Sequence, residues 1–442
     1  MEYLVSTVTR ADAPPRVIAQ TISTLRSGAD STLRRTIVQT LPMRAGSFPS
    51  TTVANHGAVA VVRGKALAPA TGLDLATTDE ELMLSPERVL LTALDAPSLR
   101  LDRDTTLGGV VHHVVSLGTG GAGVRLFIDA ASGFPTHLEL VRAYPSNLFW
   151  AMWGDLRFMT TWSAWALERN GVWYPRQRRV TLNGAPFREY AVSSLDLEAS
   201  IPPDSMVIPD SVRSAFAARV AAERRAAGQG SAPRLMPVEL ADGVVLYQGG
   251  YQSAAVRQPD GVVIIEGAES NAKSAAVLAD VAARWPGSRV KAVVSTSPMW
   301  MHVGGLREYA ARGIPIYALD ANVPVVRALL AAPHRQAPDS LARARVVPRV
   351  LPVSRLTAIG SGASRLELRP ARGQHASAML LVWMPGERLL YASDVVVPDA
   401  FEPVFTSAYR AELVRIVRRE GLDVERVFAE HLPATAWAEV SR

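Results

Sequence analysis

The hydrophobic pattern of this 442-residue chain changes once, close to Met236. Between Ser47 and Leu197, short apolar or alternating runs are separated by turn signals, a pattern typical of consecutive β-strands. Beyond Met236, strand-like runs alternate with helix-like segments such as Asn271–Arg284. Because a single apolar core stops growing near ~250–300 residues, we expect a chain of this length to divide. The sequence therefore predicts an α+β protein of two domains.

The first predicted domain spans residues 1–208 and forms a curved antiparallel β-sheet. Asn170-Gly171 and Asn183-Gly184 indicate tight hairpin turns, since this dipeptide accepts positive φ angles. The predicted strands include Val59–Val62, Val110–Leu117, Val124–Ile128, Val172–Tyr174 and Val180–Leu182. A helical segment rich in alanine and arginine follows over residues 209–235, and it either covers the sheet or links the domains. The second domain takes residues 236–442.

Seven aromatic side chains are concentrated near the end of the first domain. They are Phe149, Trp150, Trp153, Trp162, Trp165, Trp173 and Tyr174. Large rings at strand spacing either fill an ordinary core or line a pocket for an apolar ligand. The sequence leaves both interpretations open.

The composition excludes several classes of protein. The chain has no cysteine, so disulfides, iron–sulfur clusters, cysteine nucleophiles and thiolate zinc sites are ruled out. With 48% hydrophobic and 20% charged residues, it can bury large cores, which excludes a disordered or fibrous protein. Any metal ion must therefore be held by His, Asp, Glu or Met side chains.

The charge distribution and the apolar runs restrict the partners. The 47 basic and 41 acidic residues form no basic stripe interleaved with aromatic residues, so we expect no nucleic-acid partner. The longest apolar run, Ala378–Pro385, is far shorter than the ~18 residues of a membrane-spanning helix, so we expect no membrane span. Residues Met1–Pro15 lack the basic and apolar regions of a signal peptide.

Eight histidines are the main candidates for chemistry. Four lie in the first domain, and we interpret them as structural or surface residues: His56, His112, His113 and His137. His334 lies in a loop and receives the same interpretation. The other three follow or flank hydrophobic strands in the second domain: His302, His375 and His431.

Five segments of the second domain occur in a characteristic order. They are Gly261-Val-Val-Ile-Ile-Glu266-Gly267, Val293-Val-Ser-Thr-Ser-Pro-Met-Trp-Met-His302-Val-Gly-Gly305, Gly373-Gln-His375, Leu390-Tyr-Ala-Ser-Asp394 and Phe428-Ala-Glu-His431. Together they resemble the landmarks of the metallo-β-lactamase superfamily. The resemblance implies an αββα sandwich over residues 236–442, a small-molecule substrate and hydrolysis at a metal centre. It implies His302, His375, Asp394 and His431 as metal ligands.

The chain departs from the family pattern at three ligand positions. Where the T-H-x-H-x-D-H motif has two histidines and an aspartate, this sequence has Ser297, Met299 and Met301. We therefore expect no dinuclear centre. One zinc or iron ion held by His302, Asp394 and His431 is chemically sufficient.

In that mononuclear site, His375 and Asp394 are the predicted catalytic residues, and His375 either adds a fourth ligand or orients and deprotonates water. The predicted substrate is an ester, lactone, amide or phosphoester.

Three other interpretations of the same residues stay open. The histidines and Asp394 could act as a metal-free acid–base pair, or as an inert remnant in a protein that only binds an apolar ligand. Met299, Trp300 and Met301 are expected to fill the space of the missing ligands and to contact the substrate. With His302, the two thioethers could alternatively favour Cu(I).

The hairpin Asn170-Gly-Val-Trp-Tyr-Pro175 more loosely resembles the curved sheets of periplasmic lipoprotein carriers. Such a domain precedes a metallo-β-lactamase-like domain in many bacterial chains. The resemblance implies an exported bacterial protein, periplasmic or secreted. The sequence leaves a homodimer open.

Overall fold

The computed structural model of the protein describes residues 2–3, 17–27, 32–40, 47–83, 85–119, 122–200, 202–228, 233–373, 376–396 and 403–442. The chain folds as two compact units. The first unit comprises Met1–Ser146 and Leu156–Ser231, and the second comprises Asn147–Asp155 and Ala232–Arg442. A nine-residue segment therefore lies within the first unit in sequence but folds with the second.

The first unit is built on one 14-stranded sheet in which most sequence neighbours are also sheet neighbours. Its strands are β1 (Glu2–Tyr3), β2 (Val17–Ser27), β3 (Thr32–Thr40), β4 (Ser47–Asn55), β5 (Ala58–Arg63), β6 (Ala66–Pro69), β7 (Arg100–Leu101), β8 (Thr105–Leu107), β9 (Val110–Thr119), β10 (Ala122–Asp129), β11 (Pro135–Ala143), β12 (Asp155–Leu167), β13 (Trp173–Leu182) and β14 (Ala185–Ala191). The hairpins predicted at Asn170-Gly171 and Asn183-Gly184 join β12 to β13 and β13 to β14. Val172–Tyr174 and Val180–Leu182, predicted as separate strands, both fall in β13, because no turn interrupts the pairing between them.

Three helices cover this sheet: α1 (Gly72–Met83), α2 (Pro86–Asp95) and α3 (Asp210–Gly228). The sequence predicted mainly strands between Ser47 and Leu197 and named no helix there, whereas α2 buries Val89 and Ala93 one helical turn apart against Trp162. The segment predicted as cover or linker is a cover, because Phe216 of α3 packs against Val53. Pro203–Met206 adds a 3₁₀ turn.

The second unit contains two sheets. The seven-stranded sheet has the order β15 to β21, with strands β15 (Met236–Ala241), β16 (Val244–Gln248), β17 (Ser253–Gln258), β18 (Gly261–Ile265), β19 (Val290–Ser295), β20 (Ile316–Leu319) and β21 (Val350–Val353). The six-stranded sheet has the order β22 to β27, with strands β22 (Thr357–Ile359), β23 (Leu366–Pro370), β24 (Leu380–Met384), β25 (Leu389–Tyr391), β26 (Arg426–Phe428) and β27 (Thr435–Ala436).

Helices connect and cover these strands. They are α4 (Asn271–Arg284), α5 (Trp300–Val303), α6 (Leu306–Ala311), α7 (Val323–Ala331), α8 (Ser340–Arg343), α9 (Pro403–Arg419) and α10 (Trp437–Val440), with 3₁₀ turns at Ala151–Trp153, Asp320–Asn322 and Gly362–Ser364. β18, β19, β20 and β21 pair in parallel, which requires crossover connections. None of the described helices is long and apolar enough to span a membrane.

The main core lies between the two sheets. In β24, Leu380 and Val382 point into the core shared with Val263 and Val294 of the other sheet. Leu381, which alternates with them, packs on the opposite face together with residues of α9. This mixed α/β arrangement, with sheets face to face and helices outside, is consistent with the sandwich predicted for residues 236–442.

Candidate functional site

The candidate site forms where strands of both sheets end. Glu266 directly follows β18 and Thr296 directly follows β19, and these two strands pair in parallel. Asp394 lies three residues beyond β25, and Glu430 two residues beyond β26, the other parallel pair. Parallel pairing places the C-terminal ends of neighbouring strands at the same edge of a sheet, which explains why these polar side chains converge there. The Thr296 hydroxyl accepts a hydrogen bond from the Ser393 hydroxyl at 2.7 Å, which joins the two sheets.

His302 is the centre of the site. It lies in α5, the short helix after β19, and its side chain is fully buried. Its Nε2 atom lies 2.8 Å from Asp394 Oδ2, and its Nδ1 atom lies 3.0 Å from Glu266 Oε1 and 4.0 Å from Glu430 Oε2. Burial alone lowers the pKa of the imidazole, but the three carboxylates, Asp394 first, outweigh it and raise the pKa well above the usual value.

Two buried glutamates hold His302 from the Nδ1 side. Glu266 accepts a hydrogen bond from the Thr296 hydroxyl, and its own φ of 74° lies in the left-handed region that non-glycine residues rarely occupy. Glu430 accepts a hydrogen bond from the Tyr391 hydroxyl at 3.1 Å. Burial raises the pKa of Glu430 well above the ordinary value, and His302 only partly offsets this. The carboxylates are thus fixed in place by hydroxyl donors and by backbone geometry.

Asp394 and His431 form the partly accessible side of the site, with side-chain exposures of 15% and 16%. His431 Nε2 lies 3.9 Å from Asp394 Oδ1, an oxygen that is buried and has no hydrogen-bond partner. His431 Nδ1 lies 3.3 Å from the Gly250 carbonyl, which can only accept, so Nδ1 carries a proton in this contact. Burial raises the pKa of Asp394, but His302 outweighs this and lowers it below the ordinary value.

The side chains of the site are of types that bind metal ions. His302, Asp394 and His431 offer two imidazole nitrogens and a carboxylate, the residue types of a catalytic zinc or non-haem iron site. The 3.9 Å between His431 Nε2 and Asp394 Oδ1 is too long for a hydrogen bond and longer than the ~3.3 Å between two ligands of one zinc with bonds of ~2.0–2.2 Å. Among the described residues, the group whose ligand atoms all lie within 4.8 Å of one another is Glu266, His302 and Glu430, and not the predicted set.

The charges of the site also favour a cation. Among the described residues, the ion pairs of Glu266, Glu430 and Asp394 involve His302 and His431 and neither Lys nor Arg. The carboxyl groups of Glu266, Glu430 and Asp394 therefore all lie near one fully buried imidazole, that of His302. Burying carboxylates without compensation is costly, so either a cation or protons must balance them.

The structure brings three of the four predicted ligands together: His302, Asp394 and His431. The fourth, His375, which was also a predicted catalytic residue, lies outside the described residues. Of the residues at the missing ligand positions, Ser297 is fully buried, Met301 is half-buried and Met299 is 43% exposed. Substrate contact by Met299, Trp300 and Met301 stays a prediction.

Sequence reasoning did not assign a role to Glu266 or Glu430. A signal was present, because Glu266 directly follows the apolar run Gly261-Val-Val-Ile-Ile265 and Glu430 directly follows the apolar run Val427-Phe-Ala429. A carboxylate that directly continues a fully apolar strand must be buried and partnered, which is unusual enough to indicate a site.

The seven aromatic residues of the sequence cluster divide between the units. Trp162 is buried in the core of the first unit, where Trp165 stacks on Phe134 at 4.7 Å. Phe149 belongs to the second unit and its ring lies 4.5 Å from that of Trp300.

No protein-family model and no curated protein matches the chain. Several solved structures match part of the chain. One is a metallo-β-lactamase from Pontibacter korlensis, which has 15% sequence identity and a TM-score of 0.38; the match covers 47% of this chain and 96% of that one. The DIM-1 metallo-β-lactamase has 13% identity, 47% and 94% coverage, and a TM-score of 0.37. The sec-alkylsulfatase Pisa1 from Pseudomonas sp. has 15% identity, 47% and 40% coverage, and a TM-score of 0.36.

The solved structures that match 47% of the chain include metallo-β-lactamases, the family that the predicted landmarks resemble. At such identities the likeness does not extend beyond the fold. The predicted likeness of the first domain to lipoprotein carriers stays a prediction.

Proposed function

We propose that this protein is a hydrolase that holds one zinc or iron ion through His302, Asp394 and His431. The substrate class is an ester, lactone, amide or phosphoester. The observation that supports this most directly is the position of Asp394 Oδ1, which is buried, lacks a hydrogen-bond partner and faces His431 Nε2 at 3.9 Å. An unpartnered buried carboxylate oxygen is costly, and a cation between the two atoms would offset that cost.

When bound, such an ion supplies Lewis acidity, which activates water and polarises a carbonyl or phosphoryl oxygen. The residues of the chain have separate tasks around it. Glu266 holds the Nδ1 side of His302, so that Nε2 is directed at Asp394, as buried carboxylates commonly do for ligating histidines. The Gly250 carbonyl accepts a hydrogen bond from Nδ1 of His431 and so orients its ring.

The exposure of the site residues supports a reaction on the side where Asp394 and His431 lie. His302, Glu266 and Glu430 are fully buried, whereas Asp394 and His431 are partly exposed. Water and substrate therefore reach Asp394 and His431 and not the glutamates behind them. In this proposal His375 accepts the proton of the attacking water, in agreement with its position in the sequence motif.

The metal content of protein purified without added metal tests the proposal. We expect about one zinc or iron per chain in the wild type and less than about a tenth of that in Asp394→Asn. Asp423→Asn, which changes an exposed aspartate paired with Arg388, is the matched control and should keep the ion. Wild-type protein that takes up neither zinc nor iron on reconstitution would contradict the proposal.

A second candidate is a metal-free protein that binds an apolar ligand, and one observation favours it. Both ring nitrogens of His302 lie within 3.0 Å of a carboxylate oxygen, so a doubly protonated imidazole can itself be the cation of the site. This candidate predicts no tightly held metal and no turnover across a panel of esters and lactones. An intermediate result, turnover without metal, would instead support acid–base catalysis by the same residues.

A further inference from the structure

The segment Asn147–Asp155 is the part of the second unit that comes from the middle of the first. Its sequence, Asn147-Leu-Phe-Trp-Ala-Met-Trp-Gly-Asp155, contains three of the clustered aromatic residues. The proposed hydrolytic function gives this segment no role. Its attachment and its ring contacts both relate it to the candidate site.

The segment is held firmly in place. The Asp155 carboxylate accepts hydrogen bonds from the backbone N–H groups of Arg335 at 2.9 Å and Gln336 at 3.1 Å. The Asp155 N–H donates to the Pro333 carbonyl at 2.7 Å. At Gly154, with φ of 64°, an added Cβ would lie only 2.0 Å from that same carbonyl oxygen, so this close approach requires glycine.

The loop that receives the segment is itself fixed. The guanidinium of Arg307, which is 1% exposed, donates to Asp339 Oδ1 at 2.9 Å and to the Leu329 carbonyl at 2.9 Å. His334 Nε2 lies 3.2 Å from the Met152 carbonyl. A segment held by this many buried contacts presents its side chains in a defined position.

What the segment presents is the first ring of a row. Phe149 is 43% exposed, and its ring centroid lies 4.5 Å from that of Trp300. Trp300 contacts Tyr251 at 4.8 Å, and Tyr251 contacts His431 at 5.5 Å. We call Phe149, Trp300, Tyr251 and His431 the aromatic row.

The two middle rings of the row, Trp300 and Tyr251, are each held in place. Trp300 opens α5, two residues before His302, so its position is tied to that of the buried imidazole. Tyr251 is fixed because the buried Lys273 ammonium donates to its carbonyl oxygen and pairs with Glu269 at 3.2 Å. The rings therefore keep a fixed relation to the candidate metal ligand His431.

We infer that the aromatic row is the binding site for a neutral, planar aromatic group of the substrate, an inference that rests on the proposed hydrolase. The row begins at the partly exposed His431, passes through Trp300, which is 6% exposed, and ends at Phe149, which is 43% exposed, so its accessible rings lie at the two ends. Ligand sites combine aromatic walls with a few convergent polar groups, which is the arrangement here. Flat rings prefer offset or edge-to-face contact with other rings, which selects planar over puckered groups.

Binding of two ketones that cannot be hydrolysed tests the inference without turnover. We expect 2-acetylnaphthalene to bind wild-type protein about tenfold more tightly than cyclohexyl methyl ketone, measured by calorimetry and by quenching of tryptophan fluorescence. Phe149→Ala should lose about five- to tenfold in affinity for the naphthyl ketone, and Phe149→Tyr should retain it. Leu148→Ala, at a neighbouring residue that is 41% exposed, is the matched control and should bind as the wild type does.

Hydrolysis of 2-naphthyl acetate and ethyl acetate, followed by pH-stat, separates this inference from the proposed function. Phe149→Ala should lower kcat/KM for the naphthyl ester about tenfold and leave the ethyl ester unchanged. If neither ester is cleaved but the naphthyl ketone still binds through Phe149, the row is supported and the hydrolase is not. Equal affinity for both ketones, or an effect of Phe149→Ala no larger than that of Leu148→Ala, overturns the inference.

Discussion

The Nε2 atom of His302 lies 2.8 Å from the Oδ2 atom of Asp394, although 92 residues separate them in the chain. The contact joins the short helix after β19 in one sheet to the segment after β25 in the other. It links the buried interior of the candidate site to its partly exposed side. The stability and the metal affinity of the site should therefore respond together when either residue changes.

Replacing His302 by alanine should destabilise the metal-free protein by about 3–5 kcal/mol at pH 7.5, because Glu266, Glu430 and Asp394 lose their buried cation. The loss should be smaller at pH 5, since carboxylates left without a partner have raised pKa values and bind protons as the pH falls. Urea unfolding at both pH values, in the presence of a chelator, measures this.

The control for that experiment is His113→Ala, whose side chain is 50% exposed and pairs with Asp104 at 3.0 Å. Exposed pairs contribute little, so this change should stay within about 0.5 kcal/mol. Equal stability of His302→Ala and wild type at pH 7.5 would show that the carboxylates do not depend on the imidazole.

Replacing Glu266 by glutamine should weaken metal binding about 10- to 100-fold, because the amide no longer holds the Nδ1 side of His302 with a charge. Titration of metal-free protein with Co²⁺, followed by its visible absorption, gives the affinity independently of turnover. Glu239→Gln, at an exposed position in β15, is the matched control. An unchanged Co²⁺ affinity in Glu266→Gln would argue against a positioning role.

The pair of Asp339 and Arg307 should stabilise the protein in a pH-dependent way. Burial raises the pKa of Asp339, but hydrogen bonds from Arg307 outweigh it and lower the pKa to about 2, against 3.8 for the free side chain. Because the folded pKa is depressed, the stabilisation is complete above about pH 4 and is lost as the pH falls toward 2. The size is about 2 kcal/mol.

Asp339→Asn should therefore lose about 2 kcal/mol at pH 7, and the difference from wild type should shrink as the pH approaches 2. Denaturant unfolding at pH 7, 4 and 2.5 follows this. A difference that stays constant with pH would show that the effect is not electrostatic.

Replacing Gly154 by alanine should displace the segment Asn147–Asp155, because the new Cβ meets the Pro333 carbonyl oxygen at 2.0 Å. We expect a loss of at least ~2 kcal/mol, beyond the ~1 kcal/mol of the left-handed backbone alone. Gly64→Ala is the matched control, since Gly64 has a φ of 62° and no atom within 4 Å of the added Cβ. Thermal unfolding of the two variants separates the steric effect from the conformational one.

Much of the second unit could be predicted because its signals are local. Asn271–Arg284 is helical over its full predicted length, since Ser270 caps its first turn and the apolar residues recur at helical spacing. β18 and β24 are fully apolar runs, the local pattern typical of strands buried on both faces. By contrast, α1 and α2 were missed, because short amphipathic helices within a strand-rich region give a weak periodic signal.

The candidate site was partly predictable. The order of landmarks placed His302, Asp394 and His431 at strand ends, and the structure brings them together. The same order of landmarks indicated that Ser297, Met299 and Met301 occupy positions at which metallo-β-lactamases carry metal ligands. These statements need only residue identity and position along the chain.

The sequence by itself determined which residues continue the strands and which ligands are missing, because hydrophobic period and residue type are properties of neighbours in the chain. Only the tertiary structure decided that Glu266 and Glu430 enclose His302 and that the ring of Phe149 contacts that of Trp300. The cost of burying a charge depends on what lies within a few ångströms, and those neighbours come from segments that are far apart in the chain.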